Sequence, residues 1–269
     1  GISRQALYKR NKAQKKKDTH KQQICEMVKV VRQLMPRTGT RKLLDVMTYS
    51  LNNRGISIGR DRLFKLLKEA QLLVPKRKLY FFTTNSKHRF YKYPNIAKDL
   101  NLTKPEQLWV SDITYIKSKE GNLYLSLITD AFSRKIMGYH LADQLKATGP
   151  IEALKMALKN RIYPNRKLMH HSDKGIQYCS DNYIKILTDN NIEISMTSKY
   201  DTYENAKAER VNGTIKNEFE LDHPLPNFKY ANREINKTVK IYNTLRPHLS
   251  CKMNTPEQVH LNQNPYPIK

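Results

Sequence analysis

The chain has 269 residues, and 39% of them are hydrophobic, which is enough for one large folded domain or two smaller ones. This hydrophobic content excludes a disordered protein. The net charge of +25 is uneven: residues 1–100 hold 25 Lys and Arg against 6 Asp and Glu, and residues 101–269 hold 24 against 18. We therefore expect the first third to bind a phosphate backbone, although a solubility surface or an acidic membrane surface would fit the same charge.

Membrane proteins and zinc fingers are disfavoured. The longest apolar runs, such as Leu123 to Ile128, are far too short to span a bilayer, and no signal-peptide pattern opens the chain. The three cysteines, Cys25, Cys179 and Cys251, are widely separated and lack the spacing of zinc ligands. These features predict a cytoplasmic protein without membrane association. The first residue is Gly rather than Met, which fits a chain that is part of a longer product.

Residues 1–74 are predicted to form a basic helical region. Residues 1–18 are expected to be a mobile arm or a fraying helix, and the helix that follows has an apolar face beginning at Ile24. A second helix is expected to be capped by Thr38 or Thr40, and a basic third helix follows it. The residues of the third helix expected to face inward are Leu63, Phe64, Leu66 and Leu67.

Two short helices joined by a turn at Gly55, the second of them basic, favour a helix-turn-helix unit that contacts DNA. An ordinary helical bundle with a solvated basic face is the alternative. The candidate DNA-binding residues of the second of these helices are Arg60, Arg62 and Lys65.

Residues 75–104 are predicted to be a basic linker, because proline stands near both ends and no hydrophobic period is visible. Lys and Arg alternate here with Tyr, Phe and His, a composition typical of segments that lie along a nucleic acid. An inert tether is the alternative. The linker residues expected to contact DNA are Lys76, Arg77 and Lys78.

Residues 105–222 have the patterns of strands and helices in alternation. Three successive strands are followed by helix, strand, helix, strand and helix. This order predicts a mixed five-stranded sheet with helices on both faces, the arrangement of a ribonuclease-H-like core, preceded by the all-α region. Residues 223–269 are predicted to be a C-terminal helical extension.

Three acidic residues lie on the predicted elements at positions where their carboxylates could meet. Asp112 lies in the first strand, Asp173 just after the fourth strand, and Glu209 in the first turns of the helix after the fifth strand. Carboxylates that meet in this way repel each other unless cations lie between them, and oxygen ligands suit Mg²⁺ or Mn²⁺. Each acid alone would more often be a turn residue, a hydrogen-bonding residue or part of a solvated helix face.

Other candidate residues surround these acids. Asn205, Asn212 and Lys216 share one face of the helix with Glu209; Asn205 is placed to cap that helix, and Lys216 to hold a DNA phosphate or to pair with Glu220. A further set is expected to touch DNA, to orient Asp173 or to support the site by packing: Lys174, Gln177 and His171.

The blocks WVSDITYI, HSDKGIQYCS and YENAKAERVNGTIKNEF resemble the three catalytic blocks of the DDE superfamily, which includes retroviral integrases and bacterial insertion-sequence transposases. Thirty-five residues separate Asp173 from Glu209, which matches the superfamily spacing. The block YNTLRPHLSCKMNTPEQV and the opening GISRQALYKR resemble the OrfB-type transposases, the second-frame products of insertion sequences. The resemblance covers nearly the whole chain.

This resemblance implies that Asp112, Asp173 and Glu209 are catalytic and bind two Mg²⁺ ions, for which Mn²⁺ can substitute. It implies cleavage at the ends of an insertion sequence and strand transfer of the 3′ hydroxyl to DNA. The expected partners are DNA (terminal inverted repeats and target DNA), a homo-oligomer of at least two copies, and an upstream segment with a helix-turn-helix and a leucine zipper. The expected place is the bacterial cytoplasm, at the nucleoid. Glu204 stands where many relatives have Asp, while others keep Glu.

Two other functions compete with a transposase. A ribonuclease-H-like nuclease would cleave without joining, but it would need neither the basic first third nor the C-terminal block. A non-catalytic DNA-binding regulator would be indicated by loss of one of the three acids, and all three are present.

Overall fold

The computed structural model describes residues 3–75, 90–98, 100–198 and 205–262. The chain divides into two compact units, residues 1–78 and residues 79–269, and each has its own core. In the described ranges, no helix is both long enough and apolar enough to cross a membrane.

The first unit is built only from helices, as predicted. Its core is formed where the apolar faces of three helices meet, with Val28, Leu43, Leu63 and Leu67 completely buried. The turn before the third helix includes Gly55, whose φ of 63° lies in the left-handed region that glycine adopts without strain. The helices are α1 Arg4–Leu34, α2 Thr40–Asn53 and α3 Arg60–Glu69.

Helix α1 begins at Arg4 and is continuous, with Ser3 as its N-cap, so residues 4–18 follow the helical one of the two predicted alternatives. Two details of this unit differ from the prediction. The N-cap of α2 is Gly39, which has no side chain to cap with, so neither predicted threonine has that role. Phe64 is 49% exposed rather than inward-facing, because it lies about 100° around the helix from Leu63 and leaves the buried stripe.

The second unit contains the predicted mixed five-stranded sheet. Its strand order is β3-β2-β1-β4-β5; β1, β2 and β3 form an antiparallel meander, and β4 and β5 run parallel to β1. The strands are β1 Leu108–Ser118, β2 Gly121–Asp130, β3 Ile136–Ala142, β4 Leu168–Ser172 and β5 Ile192–Met196.

Helices cover both faces of this sheet. Alternation along β1 decides which residues meet which helices, because successive side chains point to opposite faces. Trp109 packs with α4 and α5 in one cluster, whereas Leu108 and Val110 pack with Ala208 of α6 on the other face. Asp112 therefore points to the face that carries α6. The helices are α4 Thr148–Lys159, α5 Asp181–Asp189, α6 Ala206–Glu218, α7 Phe228–Thr244 and α8 Pro256–His260, with a short 3₁₀ helix at Leu249–Cys251.

Part of the predicted linker packs on the second unit. Phe90 and Tyr93 lie against the cluster of α4 and α5, and the backbone N–H of Met196 donates to the carbonyl of Pro94 at 3.2 Å. Residues 76–89 and 99 lie outside the described residues, and with them the predicted contacts Lys76, Arg77 and Lys78.

The predicted C-terminal extension closes the edge of the sheet. The Asn243 side chain accepts from the N–H of Ile136 at 2.9 Å and donates to its carbonyl at 3.0 Å. Strand β3 is an outer strand of the sheet, and these bonds satisfy the N–H and carbonyl of Ile136 on that strand. His260 of α8 is completely buried and contacts Glu106 at 3.2 Å. The C-terminal segment is therefore part of the fold that carries the sheet.

Close packing of α4 on β3 depends on Gly138. A Cβ atom at this position would lie 2.0 Å from the Ala153 carbonyl oxygen and 2.7 Å from the Ala157 nitrogen, both backbone atoms. We expect Gly138→Ala to destabilise the second unit by about 3 kcal/mol or more. Gly213→Ala is the control, because Gly213 is inside α6 and a Cβ atom there would make only an ordinary van der Waals contact of 3.9 Å with the Asn217 side chain. This change should stabilise by up to about 1 kcal/mol.

Urea unfolding of the two variants measures this difference. Equal stability of Gly138→Ala and the wild type would contradict the packing described for α4 and β3.

Candidate active site

The register of the sheet brings two of the three acids together. Strands β1 and β4 are parallel neighbours, and Val110 pairs with His171. Continuing this register by two residues places Asp112 level with Asp173, which follows the last residue of β4. Both side chains are half-buried.

The loop after β4 fixes the Asp173 carboxylate. The backbone N–H of Gly175 donates to Asp173 Oδ1 at 2.9 Å. A Cβ atom at Gly175 would lie 2.9 Å from that same oxygen, so glycine allows the backbone to approach the carboxylate. Asp173 therefore has a defined orientation in the loop.

Helix α6 carries Glu209 over the same face of the sheet. Asn205 is the N-cap residue of this helix, as predicted, but its side chain makes no capping hydrogen bond. Its Nδ2 instead donates to the carbonyl of Ser111 at 3.0 Å. The Asn205 carbonyl accepts from the N–H groups of Ala208 and Glu209. The start of α6 is thereby attached to β1 directly beside Asp112, and Glu209 stands exposed one turn further along.

A second asparagine of α6 holds Asp112 itself. Asn212 is buried, and its Nδ2 donates to Asp112 Oδ2 at 2.7 Å. Asn212 lies three residues after Glu209, so one helix face supplies both the amide that binds Asp112 and the exposed carboxylate.

Asp112 experiences a strongly unfavourable electrostatic environment for its charge. Burial, the negative charge of Asp173 and, more weakly, the charge of Glu209 together raise the pKa of Asp112 to about 7, against the opposing hydrogen bond from Asn212. The three carboxylates therefore share one electrostatic site. An oxygen-only donor set that is crowded in this way fits a divalent cation.

The carboxylates do not already form a closed ligand sphere. In the described part of the chain, no three Asp, Glu, His or Cys side chains lie close enough together to surround one ion. The larger effect on Asp112 comes from Asp173, and the smaller from Glu209.

Lys216 is a basic residue of α6 that interacts electrostatically with Asp112. It is half-buried, and burial lowers its pKa, while the negative charges of Asp112 and Asp222 oppose that effect. Its electrostatic neighbours are thus these two aspartates.

The remaining predicted residues take different positions. Gln177 Nε2 donates to the Leu145 carbonyl at 3.3 Å, which ties the loop after β4 to the segment before α4. Lys174 is half-buried beside Asp173. His171 is buried, and its Nδ1 lies 2.9 Å from Ser195 Oγ, a contact that joins β4 to β5.

Comparison with known proteins identifies the family. Two family models, both described as Integrase core domain, match residues 103–202 and 190–256. The Insertion element IS600 uncharacterized 31 kDa protein of Shigella sonnei is 36% identical over 217 residues, 78% of this chain and 76% of that protein. The Transposase for insertion sequence element IS904 of Lactococcus lactis subsp. lactis is 30% identical over 213 residues, 78% of this chain and 84% of that protein. The chain belongs to the insertion-sequence transposases.

The transposase is accordingly a DDE polynucleotidyl transferase. Among solved structures, the cryoEM structure of simian T-cell lymphotropic virus intasome in complex with PP2A regulatory subunit B56 gamma matches with a TM-score of 0.52 and 18% identity, covering 90% of this chain and 77% of that chain. This match supports the fold of the transposase.

Sequence analysis missed a buried polar cluster behind the aspartates. On the α4/α5 face, His170 Nε2 lies 2.6 Å from Ser111 Oγ and 2.9 Å from the Tyr183 hydroxyl. Burial lowers the pKa of His170 to about 3, so the imidazole is neutral. The cluster ties β1 to β4 next to Asp112 and Asp173. Strand alternation gives the only signal in the sequence, since it turns Ser111 and His170 to the same face.

The second missed contact anchors the other end of α6. Arg246, 3% exposed, donates from Nε and Nη2 to the two carboxylate oxygens of Glu218, both at 2.8 Å. Glu218 is the last residue of α6, and Arg246 follows α7. The helix that carries Glu209 is therefore fixed at its start by Asn205 and at its end by Arg246.

The predicted DNA-binding residues of α3 are all on the surface of the first unit. Arg60, Arg62 and Lys65 of α3 are exposed. Arg60 Nε lies 2.8 Å from Asp61 Oδ1, so this side chain already has a carboxylate partner.

We expect Asn212→Ala to raise the pKa of Asp112 above about 7, because the lost hydrogen bond favours the charged carboxylate. Carbon-detected NMR titration of the metal-free transposase measures this pKa, with Asp112→Asn to assign the signal. Asn217→Ala, an exposed position of the same helix, should leave it unchanged. A pKa that falls or stays constant in Asn212→Ala would show that Asn212 does not hold the carboxylate.

We expect Arg246→Ala to lower the free energy of unfolding by about 3 kcal/mol, because a buried arginine is removed from a bidentate pair. The matched control is Arg233→Ala, whose pair with Glu234 at 3.5 Å is exposed and should contribute at most about 1 kcal/mol. Denaturant unfolding compares the two, and equal losses would refute the role given to Arg246.

Proposed function

We propose that the transposase cleaves DNA at the ends of its insertion sequence and transfers the resulting 3′ hydroxyl to another strand, using Asp112, Asp173 and Glu209 as metal ligands. The observation that carries the proposal is the environment of Asp112. Its half-buried side chain lies beside Asp173 and is affected by the charge of Glu209, and an asparagine amide is its only neutral side-chain donor among the described residues.

Mg²⁺, with Mn²⁺ as a substitute, is the proposed cofactor, and two ions are proposed because three carboxylates offer enough oxygen ligands. Two such ions supply activation of an attacking oxygen and stabilisation of a leaving oxygen in phosphoryl transfer. The exposed Glu209 side chain would turn toward the two aspartates when cations are bound, since the cations remove the repulsion that separates the three groups.

The protein's own groups have three further tasks. Asn212 and the N–H of Gly175 orient the carboxylates of Asp112 and Asp173 before any ligand arrives. The hydrogen bond from Asn205 to Ser111 fixes the start of α6 on β1, and with it the position of Glu209 relative to that strand. Lys216, on the same helix, is placed to bind a DNA phosphate near the aspartates, with Lys174 on the neighbouring loop.

The proposed partners are the terminal inverted repeats and a target DNA. The basic first unit supplies charge for this binding, through a helix-turn-helix of α2 and α3 with Arg62 and Lys65 on its surface. Joining two DNA ends requires at least two copies of the chain, and an upstream segment of the same insertion sequence is a further partner. This work would take place in the cytoplasm, where bacterial DNA lies.

We expect Asp173→Asn and Glu209→Gln each to abolish cleavage and joining while DNA binding stays intact, because a neutral amide cannot replace a metal-binding carboxylate. The assay uses a labelled duplex from the DNA that flanks the gene, Mg²⁺ or Mn²⁺, and a denaturing gel. Glu193→Gln, an exposed acid on β5, is the matched control and should keep full activity.

If the wild-type protein produces both cut strands and longer joined strands, it cleaves DNA and transfers the cut strand to another DNA strand. Cleavage without joined products would favour a nuclease, and retained cleavage in Asp173→Asn would sink the metal-site proposal. Binding without reaction by the wild type, even after the upstream segment is added, would favour a regulator.

A further inference from the structure

We propose that the exposed face of α7 is a second DNA-binding surface, which binds the phosphate backbone of a duplex held at the carboxylates. The proposal rests on the DNA transposase function and adds a contact region that lies outside the basic first unit. Its basis is the arrangement of charge on one helix, here called the α7 stripe and formed by Lys229, Arg233, Lys237 and Lys240.

The α7 stripe is a single line of cations. At 100° per residue, its four members fall within an arc of about 80° on the helix surface. All four side chains are exposed. The opposite side of α7 holds its buried residues, among them Ala231, Ile235 and Tyr242. The stripe thus faces directly away from the core.

Almost no acid neutralises the α7 stripe. Glu234 is the one acidic residue between Phe228 and Thr244, and it lies 3.5 Å from Arg233. Within the described residues, the three lysines of the stripe have no carboxylate within ion-pair distance. Two other exposed lysines of this unit do have acidic partners, since Lys155 pairs with Glu152 and Lys185 with Asp189.

The length of the stripe suits a duplex. Its first and last members are eleven positions apart in the sequence, which corresponds to about 16 Å along the helix axis. DNA rises 3.4 Å per base pair along its axis, so the stripe is about as long as five base-pair steps of a duplex. Asn232 and Asn236 are exposed beside it and add neutral donors of the kind that bind phosphate oxygens.

The position of α7 in the fold links the stripe to the carboxylates. At one end, the N–H of Phe228 donates to Glu120 in the turn after β1. At the other end, Asn243 forms hydrogen bonds with Ile136 of β3. Across the sheet, Ile136 pairs with Thr129 of β2, and Thr129 pairs with Val110 of β1. Asp112 lies along β1 between Val110 and the turn that contains Glu120. Helix α7 also packs against α6, so DNA bound near Glu209 could continue along the stripe.

The test is the salt dependence of DNA binding by the full chain. A variant with all four stripe residues changed to Gln is compared with a control in which Lys155, Lys159, Lys167 and Lys185 are changed to Gln. Both variants lose four exposed positive charges, and none of the control residues lies on α6 or α7. Binding of a fluorescent duplex is measured by anisotropy between 50 and about 300 mM salt, in the Asp173→Asn background to prevent cleavage.

We expect the stripe variant to bind DNA more weakly than the wild type. The slope of its plot of log affinity against log salt should be less steep by roughly 3 to 4 units, because each lost phosphate contact reduces the magnitude of the slope by about 0.9. The control should change the slope by less than about one unit. A stripe variant with the slope of the wild type, or equal effects of both variants, would overturn the proposal. This measurement depends on DNA binding and not on cleavage or joining. The gel assay with the wild-type protein tests the proposed reaction separately, so an error in the α7 proposal can be distinguished from an error in the proposed reaction.

Discussion

The attachment of α6 to β1 by two asparagine amides is the contact on which the candidate active site depends. Asn205 holds the carbonyl of Ser111, and Asn212 holds the carboxylate of the next residue, Asp112. Two consecutive residues of one strand are therefore tied to one helix. This attachment sets the distance between Glu209 and the aspartates, and it keeps a poorly solvated carboxylate hydrogen-bonded in a place where neighbouring charges oppose its ionisation.

The far end of α6 depends on residues distant in the sequence. Arg246 binds Glu218 with two short hydrogen bonds, and Asn243 closes the edge of β3. His260 lies between the buried carboxylates of Glu106 and Asp130. The C-terminal segment thus supports the site through the helix and the sheet, and its loss would release the helix that carries Glu209. These contacts give a structural explanation for Asn243 and Arg246 in the block YNTLRPHLSCKMNTPEQV.

The sequence predicted the mixed five-stranded sheet and the order of its elements along the chain, because period-two alternation and short turns leave few topologies for three strands followed by crossover units. It also placed Asp112, Asp173 and Glu209 on the correct elements. It could not predict the role of Asn205, since a helix cap and a bond to a distant carbonyl have the same local signature. Arg246 was missed for a similar reason: its partner lies 28 residues away and only the fold joins them. Phe64 was misplaced because an apolar residue beside a buried stripe need not be part of it.

The central claim is that the three carboxylates bind divalent cations together, and crystals of the transposase soaked in Mn²⁺ test it most directly. Anomalous scattering at the manganese edge locates the ions without reference to any reaction. The account predicts anomalous peaks between Asp112 and Asp173, with Glu209 drawn into contact, and their disappearance in Asp112→Asn. Peaks at other carboxylates only, with none at Asp112 and Asp173 at saturating Mn²⁺, would contradict it.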